Sequence, residues 1–146
     1  MMKTKILLAV VLLLVVSFTG CTGGYKDGTY KAEAAEYEHG WKDYLVIGVA
    51  DGKVTVKEFD ALNEAGDKKS QDADYRAAME PVSGTYPEKY IADIISEFQK
   101  KGSADKMDTI TGATKSTNSF KALLNEALAK AQKGEAKSAA PEDSSK

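Results

Sequence analysis

The sequence predicts an α+β fold, a small antiparallel sheet with a hairpin packed by C-terminal helices. Three observations predict it. β-rich runs fill the first half and meet at Asp51-Gly52, two stretches with helical apolar spacing fill the second half, and strands precede helices instead of alternating with them. That order belongs to α+β domains rather than to parallel α/β ones. A length of 146 residues allows one domain plus appendages.

Asp27-Gly28 precedes a first strand, Thr29–Tyr37, in which Tyr30, Ala32 and Ala34 alternate with Lys31 and Glu33. The second strand is the β-rich run Tyr44–Ala50 (YLVIGVA). The third, Lys53–Phe59, places Val54 and Val56 on one face. Asp-Gly between two such runs is the signal of a two-residue hairpin, whose turn needs positive φ at both positions. Asn63–Ser70 reads as a polar loop. Ala73–Glu80 reads as a short helix ending before Pro81, because proline has no N–H to donate within a helix. Tyr86-Pro87-Glu88 opens a second helix, with proline in the first turn, where its missing N–H would be unpaired anyway. Its Tyr90, Ile91, Ile94, Ile95 and Phe98 follow the helical period, and Lys100, Lys101 and Gly102 close it. A last helix, beginning near Lys115–Asn118, carries Phe120, Leu123, Leu124, Ala127, Leu128 and Ala131 as one apolar stripe, an amphipathic pattern.

Composition narrows the function classes. Residues 1–20 hold Lys3 and Lys5 and no acid, so the remainder carries 18 basic against 22 acidic groups. A weakly acidic chain lacks the basic footprint of a nucleic-acid binder. One cysteine excludes an internal disulfide and a cysteine-rich zinc site, and no Ser-His-Asp or phosphate-loop spacing occurs. In residues 21–146, Leu, Ile, Val and Phe number only 18, so the domain's core must be thin and must draw on its tyrosines.

The termini read as appendages. Lys3 and Lys5 precede an unbroken apolar run, Ile6–Val16, too short to span a bilayer, which takes about 20 residues, and suited to the core of a secretory signal. Ser17-Phe18-Thr19-Gly20-Cys21 resembles a bacterial lipobox, with Phe18 where leucine is usual. The resemblance implies cleavage before Cys21 and acylation of that residue, two or three chains being enough for stable anchoring. The expected organisation is a signal peptide over 1–20, the lipidated cysteine and a glycine-containing spacer over 21–28, the domain over 29–133, and a disordered tail over 134–146, which has no large apolar residue.

Met107–Ser119 carries the chemistry. Hydroxyl residues crowd around Gly112 directly before the last helix. A helix N-terminus presents free N–H groups to an anion, and glycine lets backbone approach a ligand closely. A merely capped loop without a ligand explains the residues equally well. The order Asp108-Thr109-Ile110-Thr111-Gly112-Ala113-Thr114, however, resembles the D-x-x-[S/T]-G-A-T flavinylation motif of FMN-binding domains such as those in the Rnf complex G subunit and the sodium-pumping NADH:quinone oxidoreductase C subunit. The likeness extends to the opening Tyr25–Tyr30, the Asp-Gly hairpin and the helix after the motif.

The resemblance implies that a flavin transferase, using FAD and a divalent metal, places FMN on Thr114 through a phosphoester. Asp108 and Thr111 would serve recognition and loop geometry, and Gly112 and Ala113 would leave room for the phosphate. It further implies a lipid-anchored extracytoplasmic electron carrier, not itself an enzyme, working between membrane redox partners and other flavoproteins or external acceptors. The rival readings are a noncovalent FMN- or ligand-binding lipoprotein and a structural surface lipoprotein. Ser116, Thr117 and Ser119 are candidates for capping or phosphate contact, and Lys115 for a counter-charge or a solvated lysine. His39 and Trp41 fall in an expected turn. Tyr30, Tyr37, Trp41, Tyr44 and Tyr86 stand as equal candidates to stack on the ring, with core packing the alternative for each. Glu33, Glu36 and Glu38 read as a solvated face.

Cys21→Ala is expected to move the chain from the membrane pellet to the soluble fraction; retention in the pellet would mean that the apolar run itself is the anchor.

Overall fold

The computed structural model describes residues 24–136; the expected signal peptide, Cys21 and most of the expected tail lie outside them. Strands β1 (Gly28–Glu33), β2 (Lys42–Ala50) and β3 (Lys53–Leu62) form an antiparallel sheet in the order β1-β2-β3. Asp51 and Gly52 turn the second hairpin with φ of 51° and 73°, the left-handed pair that the Asp-Gly signal requires. β1 ends at Glu33 rather than Tyr37. Ala34 N–H still donates to Asp43 O at 2.8 Å, but residues 35–40 are exposed, so no buried face sustains the alternation. The chain instead reverses at His39-Gly40, with φ of 51° and 83°, between Glu38 and Trp41, which exchange backbone hydrogen bonds of 2.7 and 3.0 Å.

Helix α1 (Ala73–Ser83) starts at Asp72, whose carboxylate accepts from Tyr75 N–H at 2.8 Å. It runs through Pro81 instead of stopping before it. Proline at this point forfeits one hydrogen bond in the last turn, while Gly84 N–H and Ser83 Oγ still donate to Glu80 O and Met79 O. Helix α2 (Pro87–Lys101) has proline first and closes on Gly102. Helix α3 (Thr114–Lys133) begins one residue before the expected start, which makes Thr114 its first residue.

Tyr30, Ala32, Leu45, Ile47, Val49 and Phe59 supply the inner face of the sheet. α3 lies across β1 and β2, and α2 covers β3. Phe120 of α3 sits between Phe59 and Phe98, with ring centroids 5.1 and 5.8 Å away. Ahead of β1, Lys26 N–H donates to Ala131 O at 3.0 Å and Tyr30 OH donates to Lys26 O at 2.8 Å. These bonds tie the incoming chain to the last turn of α3. α1 differs from the other helices in burying no residue fully. It is held by an edge contact of Tyr75 on Trp41, by Arg76 over the Tyr86 ring at 3.7 Å, and by Arg76 with Glu88.

Phe120→Ala, which empties the centre of this cluster, is expected to cost about 3–5 kcal/mol in urea unfolding. Val82→Ala, at a side chain 88% exposed, should stay within about 0.5 kcal/mol of the parent.

Candidate functional site

The loop before α3 is built around one hydroxyl. Thr117 has no solvent access. Its Oγ1 accepts from Ile110 N–H at 3.2 Å and donates to Ala113 O at 2.9 Å, while Ala113 N–H closes a turn onto Ile110 O at 3.0 Å. Lys121 Nζ donates to Met107 O at 2.7 Å and secures the start of the loop. Gly112 is at φ 78°, and a Cβ there would lie 2.8 Å from Ser83 O and 2.9 Å from Thr85 Cγ2. The loop can therefore wedge against the α1–α2 turn only with glycine at this position.

This geometry divides the motif. Gly112, Ala113 and Thr114 face a cleft of about 470 Å³. Asp108 and Thr111 do not. The Asp108 carboxylate pairs with Lys101 at 2.9 Å, and its N–H donates to Glu97 Oε1. The Lys101 ammonium holds the Asp108 carboxyl below its ordinary pKa. Thr111 and Ile110 border a separate depression against α2.

Thr114 is exposed and opens α3. The residue before it, Ala113, has no side-chain acceptor, so no side chain caps the helix. Alanine there is disfavoured by about 1 kcal/mol relative to Ser, Thr, Asn or Asp, and the first-turn N–H groups are left for a ligand. Ser116 and Ser119 line the cleft beside them. Thr117, a capping or phosphate candidate on sequence, instead faces inward as the loop's clamp.

The other walls come from distant segments. Trp41 and Asp43 stand on the sheet side, Tyr75 and Met79 on α1, Tyr90 on α2, and Lys69 on the turn after β3. Of the aromatic candidates read from the sequence, only Trp41 lines the cleft. Tyr30 is buried in the core, Tyr44 OH donates to Glu58 Oε1, Tyr86 lies under Arg76, and Tyr37 is on the surface. Tyr75 and Tyr90 take the places those tyrosines were expected to compete for. His39 is at the rim. Glu36 and Glu38 border the cleft as well, and Glu38 pairs with Lys115 across its mouth. A larger depression of about 590 Å³ lies between β1 and the end of α3, but it is lined by mutually paired charges such as Lys31–Glu33 and Lys130–Glu126 and has no aromatic wall.

A family model, FMN-binding domain, matches residues 40–129. The chain belongs to the FMN-binding domain family. It is 36% identical over 126 residues to the 15 kDa lipoprotein of Treponema pallidum, covering 85% of this chain and 89% of that protein. Its fold matches the crystal structure of the CPE2226 protein from Clostridium perfringens with a TM-score of 0.72 and 39% identity, over 77% of this chain and 93% of that one. A solution structure from Clostridium thermocellum matches with a TM-score of 0.50 and 26% identity, over 73% and 92%.

The cleft fits the family's ligand. Its volume lies in the range of small-molecule sites, about 300–1,000 Å³. Three aromatic side chains and a methionine offer a flat apolar ring its contacts, and the uncapped α3 terminus with two serines offers a phosphate its donors.

Thr117→Val is expected to lower stability by about 1–3 kcal/mol in urea unfolding, since it leaves Ile110 N–H without its acceptor, while Ala113 O keeps the Thr117 N–H as donor. Thr117→Ser should retain most of the parental value.

Proposed function

We propose that this FMN-binding domain carries its FMN covalently, as a phosphoester on Thr114 Oγ1, and works as a membrane-anchored extracytoplasmic electron carrier. The observation that carries the reading is the position of Thr114. Its hydroxyl is exposed on the first residue of an uncapped helix, at the edge of an aromatic cleft, at the last position of the flavinylation motif.

Attachment balances as a transfer from FAD. Thr114 Oγ1 loses its proton and bonds to the phosphorus of the FMN half, the diphosphate linkage breaks, and AMP leaves. The anionic product sits where the helix favours negative charge. First-turn N–H groups and the hydroxyls of Ser116 and Ser119 would hold the phosphate. Trp41, Tyr75, Tyr90 and Met79 would flank the ring and exclude water from it. When bound, the flavin supplies reversible electron uptake, and the protein's part is position and electrostatics.

A covalent bond suits a compartment without a cofactor pool. Even micromolar binding, about 8 kcal/mol, would lose flavin on dilution. Similarity to a 15 kDa lipoprotein supports anchoring at Cys21. The anchor would keep the carrier beside membrane redox partners, with a flavin transferase as its maturation partner.

The test is co-expression with a flavin transferase, denaturing electrophoresis, and fluorescence of the band under ultraviolet light. Fluorescence in the parent and none in Thr114→Val is the expected result. Flavin that leaves the parent on denaturation would replace the covalent reading with a noncovalent one. No flavin at all, with the transferase active on another substrate, would overturn both.

A further inference from the structure

Lys68 and Lys69 are neighbours with opposite fates. Lys68 pairs with Glu58, which also accepts from Tyr44 OH. Lys69 enters the cleft, its ammonium 4.4 Å from the Tyr75 ring centroid and 5.9 Å from that of Trp41. The turn that aims it is rigid. Asp60 is buried, and its carboxylate accepts from Ala61 N–H at 2.8 Å, from Ser70 N–H at 3.1 Å and from Ser70 Oγ. A backbone bridge between Leu62 and Lys68 adds to the constraint.

The other cations at the cleft are arranged differently. Lys115 is 78% exposed at its side chain and paired with Glu38, and His39 is on the rim. Glu36, Glu38 and Asp43 contribute negative charge from the sheet side. Among the described residues, Lys69 is thus the cation set against the aromatic walls themselves. Burial disfavours its charged form and the Asp43 carboxylate favours it, the net shift of its pKa being upward.

We propose that Lys69 sets the reduction potential of the flavin, its ammonium stabilising the negative charge that the ring gains on reduction. The inference rests on the reading that Thr114 places FMN in this cleft. Two electrons and one proton from a redox-protein donor convert the neutral oxidised ring to one with a single negative charge, and no protein bond forms or breaks. A fixed positive charge favours that product over the neutral reactant, and more strongly in a water-excluded site than in solvent.

The experiment compares flavin-loaded parent, Lys69→Met and Lys69→Arg, with Lys53→Met on the distant β2–β3 turn as a control for net charge. The potential is read by anaerobic equilibration with a reference dye. Sulfite affinity is read from flavin absorbance, because sulfite also leaves negative charge on the oxidised ring. In Lys69→Met the reduced state should be disfavoured at least tenfold relative to the parent, a downward shift of about 30 mV for a two-electron couple. Sulfite affinity should fall in parallel. Lys69→Arg and Lys53→Met should stay near the parent. Equal flavin fluorescence on denaturing gels, with potential and sulfite affinity unchanged in Lys69→Met, overturns the inference while leaving Thr114 attachment intact. Absent flavin in the parent overturns the attachment reading instead. If Lys69→Met does not fold, Lys69→Gln repeats the comparison with the same two outcomes.

Discussion

Thr117 Oγ1 spends both its accepting and its donating capacity on the backbone of the loop before its own helix. A hydroxyl inside a helix more often bonds only to the carbonyl four residues back, which bends the helix slightly. Here the same oxygen also captures Ile110 N–H, so helix and loop become one unit. Three features of the site depend on this. The turn ends on Ala113, which cannot cap the helix. Thr114 emerges as the first helical residue, with its hydroxyl in solvent. Gly112 is pressed against the carbonyl of Ser83, so the loop that presents Thr114 also positions the α1–α2 turn.

That coupling matters because α1 has little else to hold it. It buries no side chain fully, and its inward residues, Tyr75 and Met79, face the cleft rather than the sheet. The main core is assembled from β1, β2, β3, α2 and α3, and it is made of few large aliphatic residues and several aromatics. Apolar surface of α1, at Tyr75 and Met79, is thus left facing a cleft instead of a neighbouring helix. Apolar area exposed in this way yields its stabilisation, about 25 cal/mol per Å², only when something covers it. A planar ring is a suitable cover, since it can lie against Trp41, Tyr75 and Tyr90 without demanding new hydrogen bonds from them.

How far the sequence could be read depended on whether each signal was local. The turn at Asp51-Gly52 was legible because positive φ at both positions is a property of the dipeptide. The stripes of α2 and α3 were legible because burial on one face imposes a period. β1 was overextended because Ala34 and Tyr37 continue the alternation after the chain has left the sheet, and alternation cannot report where pairing stops. Pro81 misplaced the end of α1 because one lost hydrogen bond in a final turn is affordable. The motif marked Gly112, Ala113 and Thr114, but membership of the cleft is a tertiary property. Tyr90 obeys the same helical period as the core residues Ile94 and Phe98, and Lys69 sits in a polar stretch with no period at all. Neither carries a local mark that separates it from the tyrosines and lysines that do not line the cleft.

The incoming chain is bonded to α3 at Ala131, near its C-terminal end, and Thr114 is at its other end. A helix of 20 residues is about 30 Å long. From Cys21 to Tyr25 the chain can span at most about 14 Å. A protein anchored at Cys21 would therefore be held close to the bilayer by the C-terminal end of α3, while the helix length sets the flavin site apart from that attachment. Anchor and redox group would then not compete for the same surface. Such a tether would limit how far the domain wanders, and the length of α3 would keep Thr114 away from the point of attachment.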